Sequence, residues 1–150
     1  MAQSFSQVLV HGVFSTKHRT PWIGKEIESE LFAYLAALIR SNGHVPYMVG
    51  GHVDHVHVLF AISRIETLAK FMEHTKVSSS KWMKTTSNSR ADFAWQRGYG
   101  AFGVSYSSRN AVMDYIANQE DHHKVFSYQD EFRKLLEEHG IEFDERYVWD

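Results

Sequence analysis

Two pairs of residues carry the chemistry this sequence offers. In the run Asp54-His55-Val56-His57-Val58-Leu59-Phe60 the histidines are two apart among strand-forming residues. Their rings therefore leave one face of a strand while Val56 and Val58 leave the other. Two neutral imidazoles aimed at one point make part of a site for a divalent ion such as Zn²⁺, Mn²⁺ or Mg²⁺, and they need at least one further ligand. Tyr115 and Gln119 are four apart in a stretch with helical character, which puts phenol and carboxamide on one face, a turn apart. The Gln119 carbonyl oxygen can supply the missing ligand, and a phosphate bound to the ion would lie within reach of the Tyr115 hydroxyl. Taken singly, each residue has an ordinary reading: a hydrogen-bonded core histidine, a core tyrosine, a solvated helical glutamine. Only the combination points to chemistry.

Other groups bear on that site. Tyr115 has an ordinary pKa near 10, so as a nucleophile it needs help to lose its proton. His122, seven residues further on, and His11, on a first strand, are the candidates to provide it, although a plain core or surface position is the better reading of both. Asp54 precedes His55 and by strand alternation faces away from it. Three groups of side chains suit phosphates: Lys17, His18 and Arg19; Lys76 and Lys81 with Ser78, Ser79 and Ser80; and Arg97 between Trp95 and Tyr99, where a base could stack while the guanidinium takes a phosphate. The competing reading is a solvated charged loop, with Trp95 and Tyr99 in the core.

The elements that must position these residues follow from periodicity. Phe5 to Phe14 is apolar on both faces, as in a central strand. Ile27, Leu31, Tyr34, Leu35, Leu38 and Ile39 recur at helical steps, and Asn42-Gly43 stops that helix. Val45 to Gly50 and Val53 to Ala61 read as a hairpin joined at Gly50-Gly51. Leu68, Phe71, Met72, Thr75, Ser79, Trp82 and Met83 mark a second helix, followed by a polar loop from Lys84 to Arg90. Strand character returns at the end of Trp95 to Ser105. Ser107 or Ser108 can cap a helix through Tyr115 to about Asp121, and a last helix covers Gln129 to Glu138. The order strand, helix, strand, strand, helix, strand, helix predicts an α+β ferredoxin-like sandwich: helices packed on one face of an antiparallel sheet, plus a helix carrying Tyr115.

Composition narrows the function classes. A chain of 150 residues suits a single domain spanning 1–150, and 43% hydrophobic residues with ten Phe and four Trp is globular composition. There is no cysteine, so thiolate metal sites, cysteine nucleophiles and disulfides are excluded. A net charge of −2 argues against a sequence-blind nucleic-acid binder and requires local patches for any DNA contact. No stretch is apolar enough to span a bilayer and no positive charge precedes the apolar N-terminal run, so no membrane partner and a cytoplasmic location are expected.

The sequence resembles the single-tyrosine HUH transposases of insertion sequences, the insertion-sequence two-hundred-like group. The matching blocks are VHGVFSTKHRTP (Val10 to Pro21), GGHVDHVHVLF (Gly50 to Phe60), KVSSSKWM (Lys76 to Met83), FAWQRGYGAFGVS (Phe93 to Ser105) and the run from Tyr115 to Asp150. That resemblance implies His55, His57 and Gln119 as ligands of Mg²⁺ or Mn²⁺, and Tyr115 as a nucleophile that forms a 5′-phosphotyrosine. It also implies recognition of single-stranded DNA hairpins at the ends of an insertion sequence, nucleoid association when bound to DNA, and a homodimer in which Tyr115 of one subunit can serve the other's metal site. Three alternatives stand beside it: an HUH nickase of the replication or conjugation type, a non-catalytic ferredoxin-like nucleic-acid-binding module, and a histidine-based metal hydrolase using water as nucleophile.

Overall fold

The computed structural model describes residues 2–150. Four strands, β1 (Leu9–Ser15), β2 (Val45–His52), β3 (His55–Ala61) and β4 (Gly100–Val104), form one antiparallel sheet in the order β2-β3-β1-β4. Helix α1 (Glu28–Ser41) connects β1 to β2, and α2 (Leu68–Thr86) lies between β3 and β4. This is the split arrangement of a ferredoxin-like sandwich, with β1 and β3 in the centre. Every residue of both central strands is buried.

Two layers explain why. Val10 and Phe14 of β1 and Val56, Val58 and Phe60 of β3 pack with Leu31, Leu35 and Ile39 of α1 and Phe71, Met72 and Met83 of α2. A Cβ on Gly12 would lie 2.8 Å from Met72 Cε, so the missing side chain lets α2 approach β1. Thr67 caps α2 by accepting from the Lys70 amide at 3.2 Å. The opposite parity of β1 and β3 places Leu9, His11, Val13, His55, His57 and Leu59 under a second layer. That layer comprises α3 (Arg109–Ala117), α4 (Gln119–His122) and α5 (Tyr128–Glu138). Both sheet faces are thus covered, the second by the helix that carries Tyr115 and its two successors.

Three local expectations change. The hairpin turns at Val53-Asp54, with His52 paired to His55, and not at Gly50-Gly51. Those glycines permit close approaches: a Cβ on Gly50 would meet Ile116 of α3 at 2.8 Å, and one on Gly51 would meet the His55 carbonyl at 2.2 Å. The expected single helix through Tyr115 breaks at Asn118, whose side-chain amide donates to Asp114 O at 2.9 Å. That bond competes for a helical carbonyl and favours ending the helix there. Ser108 occupies the N-cap of α3 without a side-chain capping bond.

Candidate active site

β3 aims both histidine rings into the second layer, where they are fully buried. Each ring is fixed from behind. Asp54 Oδ1 lies 2.7 Å from His55 Nδ1, and His11 Nε2 lies 2.8 Å from His57 Nδ1. Strand alternation assigned Asp54 to the other face; its place in the tight turn frees it to reach back to His55. With both Nδ1 atoms engaged, both Nε2 atoms point to one place. Groups behind an imidazole set its orientation and tautomer, so Asp54 and His11 are placed to position the two rings.

The group at the meeting point is Glu131 of α5, which the sequence reading missed. Its Oε1 is 2.9 Å from His57 Nε2 and 3.3 Å from His55 Nε2. Its Oε2 accepts a hydrogen bond from the Tyr115 hydroxyl and one from Gln119 Nε2 at 3.0 Å. Gln119 is buried too, and its Oε1 accepts from His55 Nε2 at 3.0 Å and His123 Nε2 at 2.8 Å. His55, His57, Tyr115 and Gln119 therefore converge within one chain. A signal for Glu131 was present: it lies on the apolar stripe of α5 with Tyr128, Phe132, Leu135 and Leu136, where a carboxylate is out of place unless paired.

Electrostatics follow from this packing. Burial opposes charge on His55, but Asp54 and Glu131 outweigh it and raise its pKa to about 9. Burial lowers the pKa of His57 against the pull of Glu131, and it lowers His11, beside His57, to about 3. Burial would raise Glu131, yet the facing His123, His55 and His57 hold it well below the carboxylate range. Tyr115 is pushed above its ordinary value by burial and by the Glu131 charge, so its hydroxyl stays protonated in this arrangement.

The residues present fit a divalent cation. His55, His57 and Glu131 offer ligand atoms within 4.8 Å of one another, and so do His122, His123 and Glu131. Two imidazoles and a carboxylate suit first-row divalent ions. A cavity of about 580 Å³ opens beside them, lined by His11, Phe102, Tyr115, His122, Glu131 and His139. Of the two proposed proton acceptors, His11 sits behind His57. His122 places its ring 5.5 Å from that of Tyr115.

The expected DNA contacts lie elsewhere and divide. Lys76, Lys81, Arg97 and Tyr99, with Lys84, line a second cavity of about 620 Å³ between α2 and the segment before β4. Lys81, Arg97 and Tyr99 are exposed there. The Lys76 ammonium is spent inside the fold: it donates to the carbonyls of Gln96 and Arg97 at 3.0 Å and to that of Gly98. Trp95 is a core residue, edge-on to Phe14 and Phe93, with its indole N–H on Ser79 Oγ at 2.9 Å. Arg19 donates to Trp149 O at 3.1 Å, whereas Lys17 is exposed; neither lines that cavity.

A His-hydrophobic-His strand facing a helix-borne tyrosine across an α+β sandwich defines the HUH class. The chain belongs to the family described as Transposase IS200 like, whose model matches residues 4–119. No curated protein matches it significantly. Among solved structures, a candidate transposase from Deinococcus radiodurans R1 is similar at 21% identity and a TM-score of 0.62, over 79% of this chain and 98% of that one. A REP-associated tyrosine transposase bound to a REP hairpin is similar at 8% identity and a TM-score of 0.58, over 82% and 73%. At those identities the two structures bear on the fold. Among the described residues no helix is long and apolar enough to cross a membrane.

Proposed function

We propose that the protein cuts and rejoins single-stranded DNA at the ends of an insertion sequence, with Tyr115 as nucleophile. One observation carries this reading: a single carboxylate, that of Glu131, touches both the His55/His57 Nε2 pair and the Tyr115 hydroxyl. Metal pair and nucleophile are thus separated by the span of one small oxyanion, the separation needed for an ion and a phenol to act on the same phosphate. A divalent ion, Mg²⁺ or Mn²⁺, held at His55 and His57 would polarise the scissile phosphate and offset the charge that builds on it.

The protein's own residues supply the rest. Tyr115 Oη attacks phosphorus, the bond to the 3′ oxygen breaks, and the products are a 5′-phosphotyrosine and a free 3′-OH. The hydrogen bond to Glu131 Oε2 holds the phenol in place, and its proton leaves on the side of the adjoining cavity, where the His122 ring lies 5.5 Å from that of Tyr115. Because the tyrosine ester keeps the phosphodiester's energy, the 3′-OH of another strand reverses the reaction and joins DNA without ATP. Lys81, Lys84, Arg97 and Tyr99 form a basic groove with an exposed aromatic, suited to the phosphates and a base of a hairpin, and the hairpin bound to the REP-associated relative supports that substrate. Lys17 is a further phosphate contact. The homodimer implied by the family resemblance is not needed to complete the site, since one chain brings all of it together.

The nickase reading shares this chemistry and differs in substrate; a water-using hydrolase or a silent binding module leaves the part-buried Tyr115-Glu131 contact without a purpose. The test is incubation of the protein with labelled single-stranded hairpin DNA and Mg²⁺ or Mn²⁺, resolved on a denaturing gel. A covalent adduct that disappears in Tyr115→Phe is expected; one that persists in that variant would sink the assignment.

A further inference from the structure

We infer that Glu131 is itself a ligand of the divalent ion, so that the C-terminal helix α5 completes a two-histidine, one-carboxylate centre and Gln119 acts by positioning that carboxylate. This rests on the metal-assisted reading above and deepens it. The match to the family model ends at residue 119, and α5 with its carboxylate lies beyond it.

Four observations carry the assignment. The three donor atoms already face one another, Glu131 Oε1 lying 2.9 Å from His57 Nε2 and 3.3 Å from His55 Nε2. The Glu131 side chain is 1% exposed and sits at the focus of the two oriented imidazoles, where an ion bound to both Nε2 atoms would meet it. The Gln119 amide donates to Glu131 Oε2 and so turns Oε1 toward the two rings, while the Gln119 Oε1 accepts from His123 Nε2 at 2.8 Å. An anionic oxygen is also the stronger ligand for hard ions such as Mg²⁺ and Mn²⁺ than a neutral carboxamide.

The helix is built to hold that carboxylate in place. Ser127 caps α5 through the Asp130 amide at 3.1 Å, and Tyr128, Phe132, Leu135 and Leu136 anchor it on Val13 and Phe102. Beyond it, Arg133 pairs with Glu145 at 2.6 Å, and the Gly98 amide donates to Asp150 O at 2.8 Å. The ligand therefore comes from an element fixed on both sides.

Titration of the metal-free protein with Mn²⁺, followed by the electron paramagnetic resonance of the free ion, tests this without DNA. Glu131→Gln should weaken Mn²⁺ binding about tenfold or more, as His57→Ala does, with Glu131→Asp in between and Gln119→Ala less affected than Glu131→Gln. Mn²⁺ affinity within twofold of wild type in folded Glu131→Gln, while His57→Ala loses binding, would overturn the inference. The same result accompanied by tighter hairpin binding would overturn it by making Glu131 a plug in the phosphate's place. Should Glu131→Gln fail to fold, the anomalous-scattering map of Mn²⁺-soaked wild-type crystals decides: an ion bonded to Glu131 Oε1 supports the inference, and one bonded to His55, His57 and Gln119 alone refutes it. Adduct formation by wild type but not by Tyr115→Phe stands separately, so the nucleophile can survive the loss of this ligand.

Discussion

The packing of α3 on the sheet gives a prediction with a magnitude. Tyr115 sits next to Ile116, and Ile116 touches the backbone of β2 at Gly50. A Cβ placed there in Gly50→Ala would lie 2.8 Å from both Ile116 Cγ2 and the Ile116 carbonyl, where ordinary contact begins at 3.4 Å. The side-chain clash can be relieved by rotation, but the carbonyl clash requires α3 to retreat by about 0.6 Å. Overpacking of this kind costs about 1–3 kcal/mol, a Tm decrease of roughly 2–4 °C per kcal/mol for a domain of this size. A shift of half an ångström or more at a reacting group costs about tenfold or more in rate. Thermal unfolding and the rate of covalent adduct formation on hairpin DNA measure the two effects. Gly103→Ala is the control, because nothing lies within 4 Å of the added Cβ, and it should leave both unchanged. Wild-type Tm and adduct rate in Gly50→Ala would refute the close packing; a lowered Tm with an unchanged rate would refute the dependence of Tyr115 on the position of α3.

Two more tests follow. Lys76→Met should lower Tm by removing the donor shared by three carbonyls, leaving the salt dependence of hairpin binding unchanged, whereas Lys81→Met or Arg97→Met should reduce the slope of log affinity against log salt by about one each with little change in Tm; an altered slope in Lys76→Met would return that ammonium to the DNA. In the metal-free protein, the raised His55 pKa contributes stability that is complete below its unfolded value of 6.5 and is lost as pH rises through about 9, at most about 3 kcal/mol, while the lowered Glu131 pKa contributes stability that is present above 4.5 and lost in acid. Below pH 6.5 the lowered His11 and His57 pull the other way, because the unfolded chain takes up protons there that the buried rings do not, so metal-free Tm should be highest near pH 6.5; Mn²⁺ affinity should climb by up to about tenfold per unit between pH 7 and 9 as the ion displaces the His55 proton, and an affinity flat over that range contradicts the charged His55.

The sequence determined whatever depends on local period. Alternation in β3 sends His55 and His57 one way and Val56 and Val58 the other, and the structure keeps that parity because both faces of the strand have a layer to fill. The four-residue step from Tyr115 to Gln119 survives although the helix breaks between them at Asn118, since the break falls in the last turn of the step. Turn chemistry was less legible: Gly50-Gly51 looks like a hairpin bend, yet its glycines serve approaches by α3 and by the strand end, contacts invisible along the chain. The same holds for charge. Lys76 and Arg19 read as phosphate contacts, and tertiary folding spends Lys76 on three carbonyls and Arg19 on the backbone of Trp149.

Glu131 is the clearest case of what only the tertiary structure decided. By itself a glutamate on an amphipathic helix is a solvated residue, and no spacing rule connects it with histidines more than seventy positions earlier. Asp54 and His11 likewise gain their roles only once the turn and the neighbouring strand place them behind the two rings. The sequence by itself determined which four residues could act together, because strand and helix periods fix which side chains share a face. The fold decided what stands between them, because only packing of α5 on the sheet brings a distant carboxylate to the point where both histidines and the tyrosine meet.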